Sequence, residues 1–476
     1  MSFPAVLLHD VSFIYENAHH GLHDINLQVE QGSCHVLMGG SGSGKTTIIR
    51  LINGLAGGYY PGEISGDISI MGNDAAQLAP WQRATLVGSV FQDPATQFFS
   101  AQLAGEVAFG CENLGLSTSE VQSSTDAAIA RMNLEALRNQ NIDTFSSGEK
   151  QRVAIAGAIA PAPKVLVMDE PSANLDEGAA QKLGNILQEL KSQGYTLIIA
   201  EHRIAYILDI ADVFHYVQDG TIVKDMTRSD ILDLPDDTRR AMGIRTPYFR
   251  KRKAFEQSGV SHDNCITGLC VRNLEIVLHK KKILSGITMT LQPCSIVAIT
   301  GKNGAGKTTL MRALSGLIKP KRGEITFDDK PLTRRRARSL VWYSPNDVSA
   351  SFFTASVAEE VMLHVEPSEE NISQARTLLK DLGLYEYKDM HPYALSGGQK
   401  QRLAVAVALM QQRRILIFDE PTSGLDATNM QRLANALIHA AQAGCIVAVV
   451  THDSEFIESC ATASFEVGCE RGIVDE

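Results

Sequence analysis

Two copies of one glycine-rich pattern, 262 residues apart, constrain this chain more than any other feature. MGGSGSGKTT at 38–47 returns as TGKNGAGKTT at 300–309. Three further stretches return in the same order. FSSGEKQRVAIAGAIA at 145–160 returns as LSGGQKQRLAVAVALM at 395–410, VLVMDEPSANLD at 165–176 as ILIFDEPTSGLD at 415–426, and LIIAEHR at 197–203 as VAVVTHD at 447–453. These three share an offset of 250 residues, so the second half is twelve residues shorter between its first motif and its second. Four motifs repeated in one order mean two related domains, and 476 residues accommodate two cores of ordinary size.

Each copy reads locally as α/β. CHVLMGG is a short apolar strand running into a glycine loop, and TTIIRLINGL is a helix with apolar residues at helical spacing that ends near Gly54. VLVMDE and LIIAEH are continuous apolar runs, as in strands buried on both faces of a parallel sheet. The stretch before the second motif carries helical patterning and the polar run STSEVQSSTDAA, which predicts a separate helical subdomain.

Gly39-x4-Gly44-Lys45-Thr46 and Gly301-x4-Gly306-Lys307-Thr308 are phosphate loops. The candidate nucleotide-binding residues are Gly39, Gly40, Ser41, Gly42, Ser43, Gly44, Lys45, Thr46 and Thr47 in the first half. In the second half they are Gly301, Lys302, Asn303, Gly304, Ala305, Gly306, Lys307, Thr308 and Thr309. Glycines let backbone N–H groups approach phosphate closely, and the following helix N-terminus adds partial positive charge. Lys45 and Lys307 are expected to pair with the β- and γ-phosphates, and Thr46 and Thr308 to donate hydroxyl oxygens to Mg2+. Asp169 and Asp419 end apolar strands, where a carboxylate reaches the metal through its water shell. Glu170 and Glu420 follow directly, placed to polarise an attacking water.

Composition narrows the remaining classes. A net charge of -10 does not favour a nucleic-acid binder. No run approaches the length of a membrane span, and MSFPAVLLHD lacks the basic and apolar regions of a secretory signal, which points to a cytoplasmic protein. The eight cysteines are scattered without a C-x-x-C pair and read as reduced structural thiols. Residues 236–267 are polar and basic and read as a linker between a first domain at 1–235 and a second at 268–476. Its run Arg250, Lys251, Arg252, Lys253, and the run Arg334, Arg335, Arg336, Arg338, read as solvated surface in preference to contacts with acidic lipid headgroups. The cluster His19, His20, His23 sits in a loop between strands and reads as surface rather than as a metal site.

LSGGQKQR together with the phosphate loops and DEPTSGLD resembles the ATP-binding-cassette (ABC) superfamily over nearly the whole chain outside the linker. The resemblance implies an α/β fold of two tandem ABC-type P-loop NTPase domains. Each has a mainly parallel sheet core, an antiparallel β part and a helical subdomain. It implies an ATPase whose two cassettes pair within one chain around two ATP molecules. The phosphate loop of one cassette would face the signature of the other: Ser146, Ser147, Gly148 and Glu149 in the first half, Ser396, Gly397, Gly398 and Gln399 in the second. Residue by residue, Tyr15 matches the adenine-stacking aromatic and Gln92 the glutamine that senses Mg2+ and the attacking water. His202 and His452 match the switch histidines, and Leu175-Asp176 and Leu425-Asp426 the loop that crosses the dimer interface.

The halves diverge. Leu278 falls at the adenine-stacking position and Tyr343 at the glutamine position, and the first signature carries Ser147 and Glu149 where the second has Gly397 and Gln399. These departures gather on the site of Lys307, whereas the site of Lys45 keeps every part, so unequal turnover is expected. The stretch VFQDPATQFFSAQLAGEVAFGCENLGL is similar to that of energy-coupling-factor importer ATPases of the cobalt/biotin/thiamine type. That likeness implies integral membrane partners, a transmembrane coupling protein and a substrate-binding subunit, with this chain on the cytoplasmic face of the cell membrane. Phe98, Phe99, Phe352 and Phe353 are either the contact to those partners or core of the helical subdomain. A dual-cassette sugar-importer ATPase and a ribosome-associated ABC ATPase are the alternatives.

Overall fold

The computed structural model describes residues 3–16, 21–249, 268–278, 280–348 and 351–468. His19, His20 and the run Arg250, Lys251, Arg252, Lys253 lie outside the described residues. The chain divides into two compact units, the first ending at Phe249 but also taking in Asp426–Thr428.

In the first unit a six-stranded sheet has the order Thr221–Met226, Val213–Gln218, Cys34–Met38, Thr196–Ala200, Val165–Asp169, Val87–Val90. Its pairings are parallel except at the edge strand Thr221–Met226. The apolar runs behave as continuous burial requires: successive side chains alternate between two cores. Leu166 and Met168 join the core beneath the helical subdomain, while Val165 and Val167 join the core under the helix Lys45–Asn53 and a four-stranded antiparallel sheet. That helix ends at Gly54, whose φ of 82° is the left-handed conformation glycine supplies at a helix end. The helices Leu103–Asn113, Thr118–Arg131 and Ser147–Ile159 make the subdomain. The polar run starts the middle one because Ser117 caps it and Glu120 closes the capping box.

The second unit repeats the plan. A four-stranded antiparallel sheet accompanies a five-stranded parallel sheet ordered Val341–Ser344, Ile415–Asp419, Ile446–Val450, Ser295–Thr300, Ala463–Glu466. In both units the phosphate-loop strand lies inside its sheet, with the Asp-Glu strand two places away. Among the described residues no helix is long and apolar enough to cross a membrane.

Two expectations are corrected. Residues 236–249, read as linker, belong to the first unit. Arg239 is 1% exposed, with its guanidinium donating to the Ile244 carbonyl at 2.8 Å and paired with Asp236 at 3.1 Å, and Ile244 enters the core. Polar composition concealed a folded segment with two buried arginines, Arg239 and Arg245. The glutamine position of the second half is Asn346, not Tyr343. Val87 pairs with Val165 and Val341 with Ile415, so the strands superpose at an offset of 254 and Gln92 maps to Asn346. Tyr343 instead takes the place of Ser89, its hydroxyl buried beside Asp419 and Arg312.

The first sheet also holds a buried histidine pair that ends on the exposed Asp225. His35 Nδ1 lies 2.8 Å from His215 Nε2, and His215 Nδ1 lies 2.6 Å from Asp225. Burial and then His215 push His35 down to about 4, and burial lowers His215 as well. A histidine held neutral by the fold stabilises it fully above its unfolded pKa of 6.5, and that contribution is lost as pH falls toward 4. The shift bounds the loss at about 3 kcal/mol. Thermal melts of wild type should therefore fall steeply between these pH values, and His35→Gln should flatten that fall.

Candidate nucleotide site

Both phosphate loops are built alike. The first glycine of each is in a conformation closed to other residues, φ 148° at Gly39 and 139° at Gly301. A Cβ there would meet the backbone oxygen of Val217 at 2.1 Å or of Val467 at 2.5 Å. Each loop curls around a buried lysine. Lys45 Nζ donates to the Gly39 and Gly40 carbonyls at 3.0 and 2.8 Å, and Lys307 Nζ to those of Gly301 and Lys302 at 2.8 and 3.1 Å. Burial lowers the Lys45 pKa against the pull of Glu170 and Asp169.

The metal candidates meet in pairs. Thr46 Oγ1 donates to Asp169 at 3.0 Å and Thr308 Oγ1 to Asp419 at 2.7 Å. Burial and the adjacent Glu170 push Asp169 up to about 6, and burial raises Asp419. Hydroxyl and carboxylate oxygens whose ionised form is penalised by burial are a donor set that fits a hard divalent cation.

The carboxylates that follow differ sharply. Glu170 and Glu420 share a left-handed backbone, φ 43° and 51°, and each backbone N–H donates to the neighbouring strand at 2.8 Å. Such strain at the same place in both halves marks a functional position. Around Glu170 the predicted parts converge: Gln92 Nε2 donates to its Oε2 at 2.7 Å, and His202 Nε2 lies 2.9 Å from its Oε1, close but off the line of a hydrogen bond. Burial alone would raise Glu170, but His202 and Lys45 outweigh it and leave the carboxyl below its usual value. His452 stands 3.8 Å from Glu420, and Asn346 is exposed. Burial and then Asp419 push Glu420 up to about 8.

Tyr15 and Leu278 occupy the same strand position, five residues beyond the left-handed Asp10 and Asn273. Tyr15 is half-buried, with its hydroxyl 3.0 Å from Thr47 Oγ1 and accepting from Arg50 Nη1 at 3.0 Å. The sequence reading missed Tyr60, whose ring lies 3.9 Å from the Arg50 guanidinium and so steadies that arginine.

The signatures begin helices, with Ser146 and Ser396 as N-caps. Gly397 has open space where a Cβ would stand, so Ser147 meets no local obstacle at the matching place. Glu149 folds back, accepting from Ser146 N–H at 2.8 Å and Ser146 Oγ at 2.7 Å, and the Ser146 hydroxyl lowers its pKa. Gln399 accepts from Ser396 N–H at 2.8 Å. The expected charge is present at the first signature, and it also claims the serine hydroxyl.

The segment once read as linker lies on the phosphate loop. Gly243 has φ 75°, a Cβ there would sit 2.6 Å from Gly40 Cα, and the Arg245 N–H donates to the His202 carbonyl at 3.2 Å. Gly243→Ala should displace the loop. We expect at least about a tenfold loss of ATP turnover, at a stability cost of about 1–2 kcal/mol from the left-handed backbone, read by steady-state ATPase assays beside thermal melts.

The family model described as ABC transporter matches residues 22–173 and 284–423. The chain is 39% identical over 459 residues to a Treponema denticola protein named as an ABC transporter ATP-binding protein, covering 95% of this chain and 93% of that one. It is 29% identical over 489 residues to YkoD of Bacillus subtilis, named for HMP/thiamine import, covering 95% and 87%. A structure of ribosome-bound archaeal Pelota and ABCE1 shares the fold, with TM-score 0.68, 21% identity, and 96% and 76% of the two chains covered. With two matched regions, each carrying its own phosphate loop and strained Asp-Glu turn, this chain is an ATPase of the ABC transporter family with tandem cassettes.

Proposed function

We propose that the chain energises a membrane importer of the energy-coupling-factor type, with most hydrolysis at the site of Lys45. One observation carries the importer reading. The two halves duplicate a pair of phenylalanines and split each pair the same way. Phe352 is buried and Phe98 packs on the core, while Phe99 and Phe353 are 75% and 78% exposed. Buried Glu106 accepts the backbone N–H groups of Phe99 and Ser100 at 2.8 Å, and buried Glu360 those of Phe353 and Thr354 at 2.9 Å. Two exposed aromatics fixed by buried carboxylates suit docking to an apolar partner. The likeness to YkoD, named for import, supports the same reading.

At the nucleotide, Lys45 and the glycine-loop amides would bind phosphate, and Tyr15 would stack on adenine. Thr46, Asp169 and Gln92 would hold Mg2+, with Thr308 and Asp419 its holders in the second half; the ion neutralises phosphate charge. Glu170, ionised and held by Gln92, is placed to take a proton from the attacking water, with His202 against the γ-phosphate. The second signature, with Ser396, would complete this site.

Purification of tagged chain from its host in mild detergent tests the importer reading. Small integral membrane proteins should accompany wild type and be lost from a Phe99→Ala, Phe353→Ala variant. Recovery of ribosomes without membrane proteins would overturn it in favour of the ribosome-associated alternative.

A further inference from the structure

We propose that Glu201, Ser172 and Tyr206 form a positioning network that holds the switch histidine His202 toward Glu170, a network built into the first cassette and replaced in the second. This rests on the reading that the first site performs the turnover.

Glu201 is 1% exposed and both its oxygens are saturated. Oε1 accepts the backbone N–H groups of His202 and Arg203 at 2.8 and 3.0 Å. Oε2 accepts from Ser172 Oγ and Tyr206 OH, both at 2.9 Å, and from Ser172 N–H at 3.3 Å. A buried carboxylate ringed by five donors is rigid, because moving it strands either a charge or a donor in a dry interior. Arg203 extends the tie: its Nη1 donates to the Leu175 carbonyl at 2.9 Å. The loop of His202 is thereby fastened to the turn that follows Glu170. From the other side the His202 carbonyl is held by Arg245 N–H, so both backbone polar groups of this residue are engaged.

At the shared offset of 250 residues, Glu201, Ser172, Tyr206 and Arg203 become Thr451, Thr422, Phe456 and Asp453. The acceptor and the tyrosine hydroxyl disappear together, as they must: Tyr206 without Glu201 leaves a buried hydroxyl, and Glu201 without its donors leaves a buried charge. Thr451 Oγ1 instead accepts from Asp453 N–H at 3.1 Å, while the Asp453 carboxylate caps the helix Ser454–Cys460 through Phe456 N–H at 3.1 Å. The histidine-to-glutamate distance follows the network, 2.9 Å where it is present and 3.8 Å where it is replaced.

The test transplants the second cassette's set into the first: Glu201→Thr, Ser172→Thr and Tyr206→Phe together. This chain already packs that set in its own second half. We expect kcat for ATP hydrolysis to fall about tenfold or more, with KM for ATP within about threefold, and bound fluorescent ATP analogue per chain unchanged. Tyr206→Phe alone, which removes one of five donors, should lower kcat by about two- to threefold with the same unchanged KM. Wild-type kcat in either variant would overturn the proposal. So would a parallel fall of kcat and bound nucleotide, which is what support of the fold alone produces. Glu170→Gln is assayed beside them; if that variant keeps full turnover, the reading of the first site has failed rather than the network.

Discussion

Glu170→Gln should lower steady-state ATP hydrolysis by about two orders of magnitude or more, the usual worth of a positioned proton acceptor, whereas Glu420→Gln should lower it by about threefold at most. The two glutamates share strand position, strained backbone and burial, so those features do not separate them. Their neighbours do. Glu170 has an amide at 2.7 Å, an imidazole at 2.9 Å and a net downward pKa shift. Glu420 has its imidazole at 3.8 Å and is pushed up to about 8. A carboxyl that burial and Asp419 push toward its protonated form, with its imidazole at 3.8 Å, is poorly placed to accept a proton, so its substitution changes little. Equal losses from the two variants would show either two working sites or strict coupling between them. Single-turnover measurements on each variant, which count nucleotide hydrolysed per chain, distinguish those cases.

Much of this was legible because the phosphate loops and the acidic strand ends are sequence-local. Lys45 and Gly39 are six residues apart, and a glycine with φ 148° announces itself by identity. Asp169 and Glu170 were found from the end of an apolar run. What escaped were facts of register and of burial. VGSVFQ and VWYSPN offer no local signal to choose between Tyr343 and Asn346; only pairing to the neighbouring strand fixes the offset. The segment after residue 235 reads as solvated because a buried arginine and a solvated one are the same letter, and Arg239 has Ile244 and Asp236 within reach. The change from EHR to THD was in plain view, but its meaning depended on Tyr206 and Ser172, which reach Glu201 only through the fold. Phe98 and Phe99 were one apolar pair by composition; the buried Glu106 divides them into a core residue and an exposed one.

The second large effect is a gain. In the Glu170→Gln background, where turnover by the first site is suppressed, adding Glu149→Gln should raise the residual ATP hydrolysis about tenfold, the worth of roughly one well-placed donor to a charged group. In the proposed pairing the first signature serves the phosphate loop of Lys307. A signature serine assists by donating its hydroxyl hydrogen to phosphate, and a hydroxyl has one hydrogen to give. Ser146 gives it to Glu149 at 2.7 Å, and the ionised carboxylate, its pKa lowered by that bond, also sets a negative charge beside the anion to be bound. Glutamine keeps the cap, as Gln399 does for Ser396 at 2.8 Å, while removing the charge and competing less strongly for the hydroxyl. The gain should vanish when Lys307→Ala is added, which removes the phosphate-loop lysine of the second site and so assigns the gain to it. An unchanged residual rate would mean that the raised pKa of Glu420 and the looser His452, not the signature, set the limit at this site.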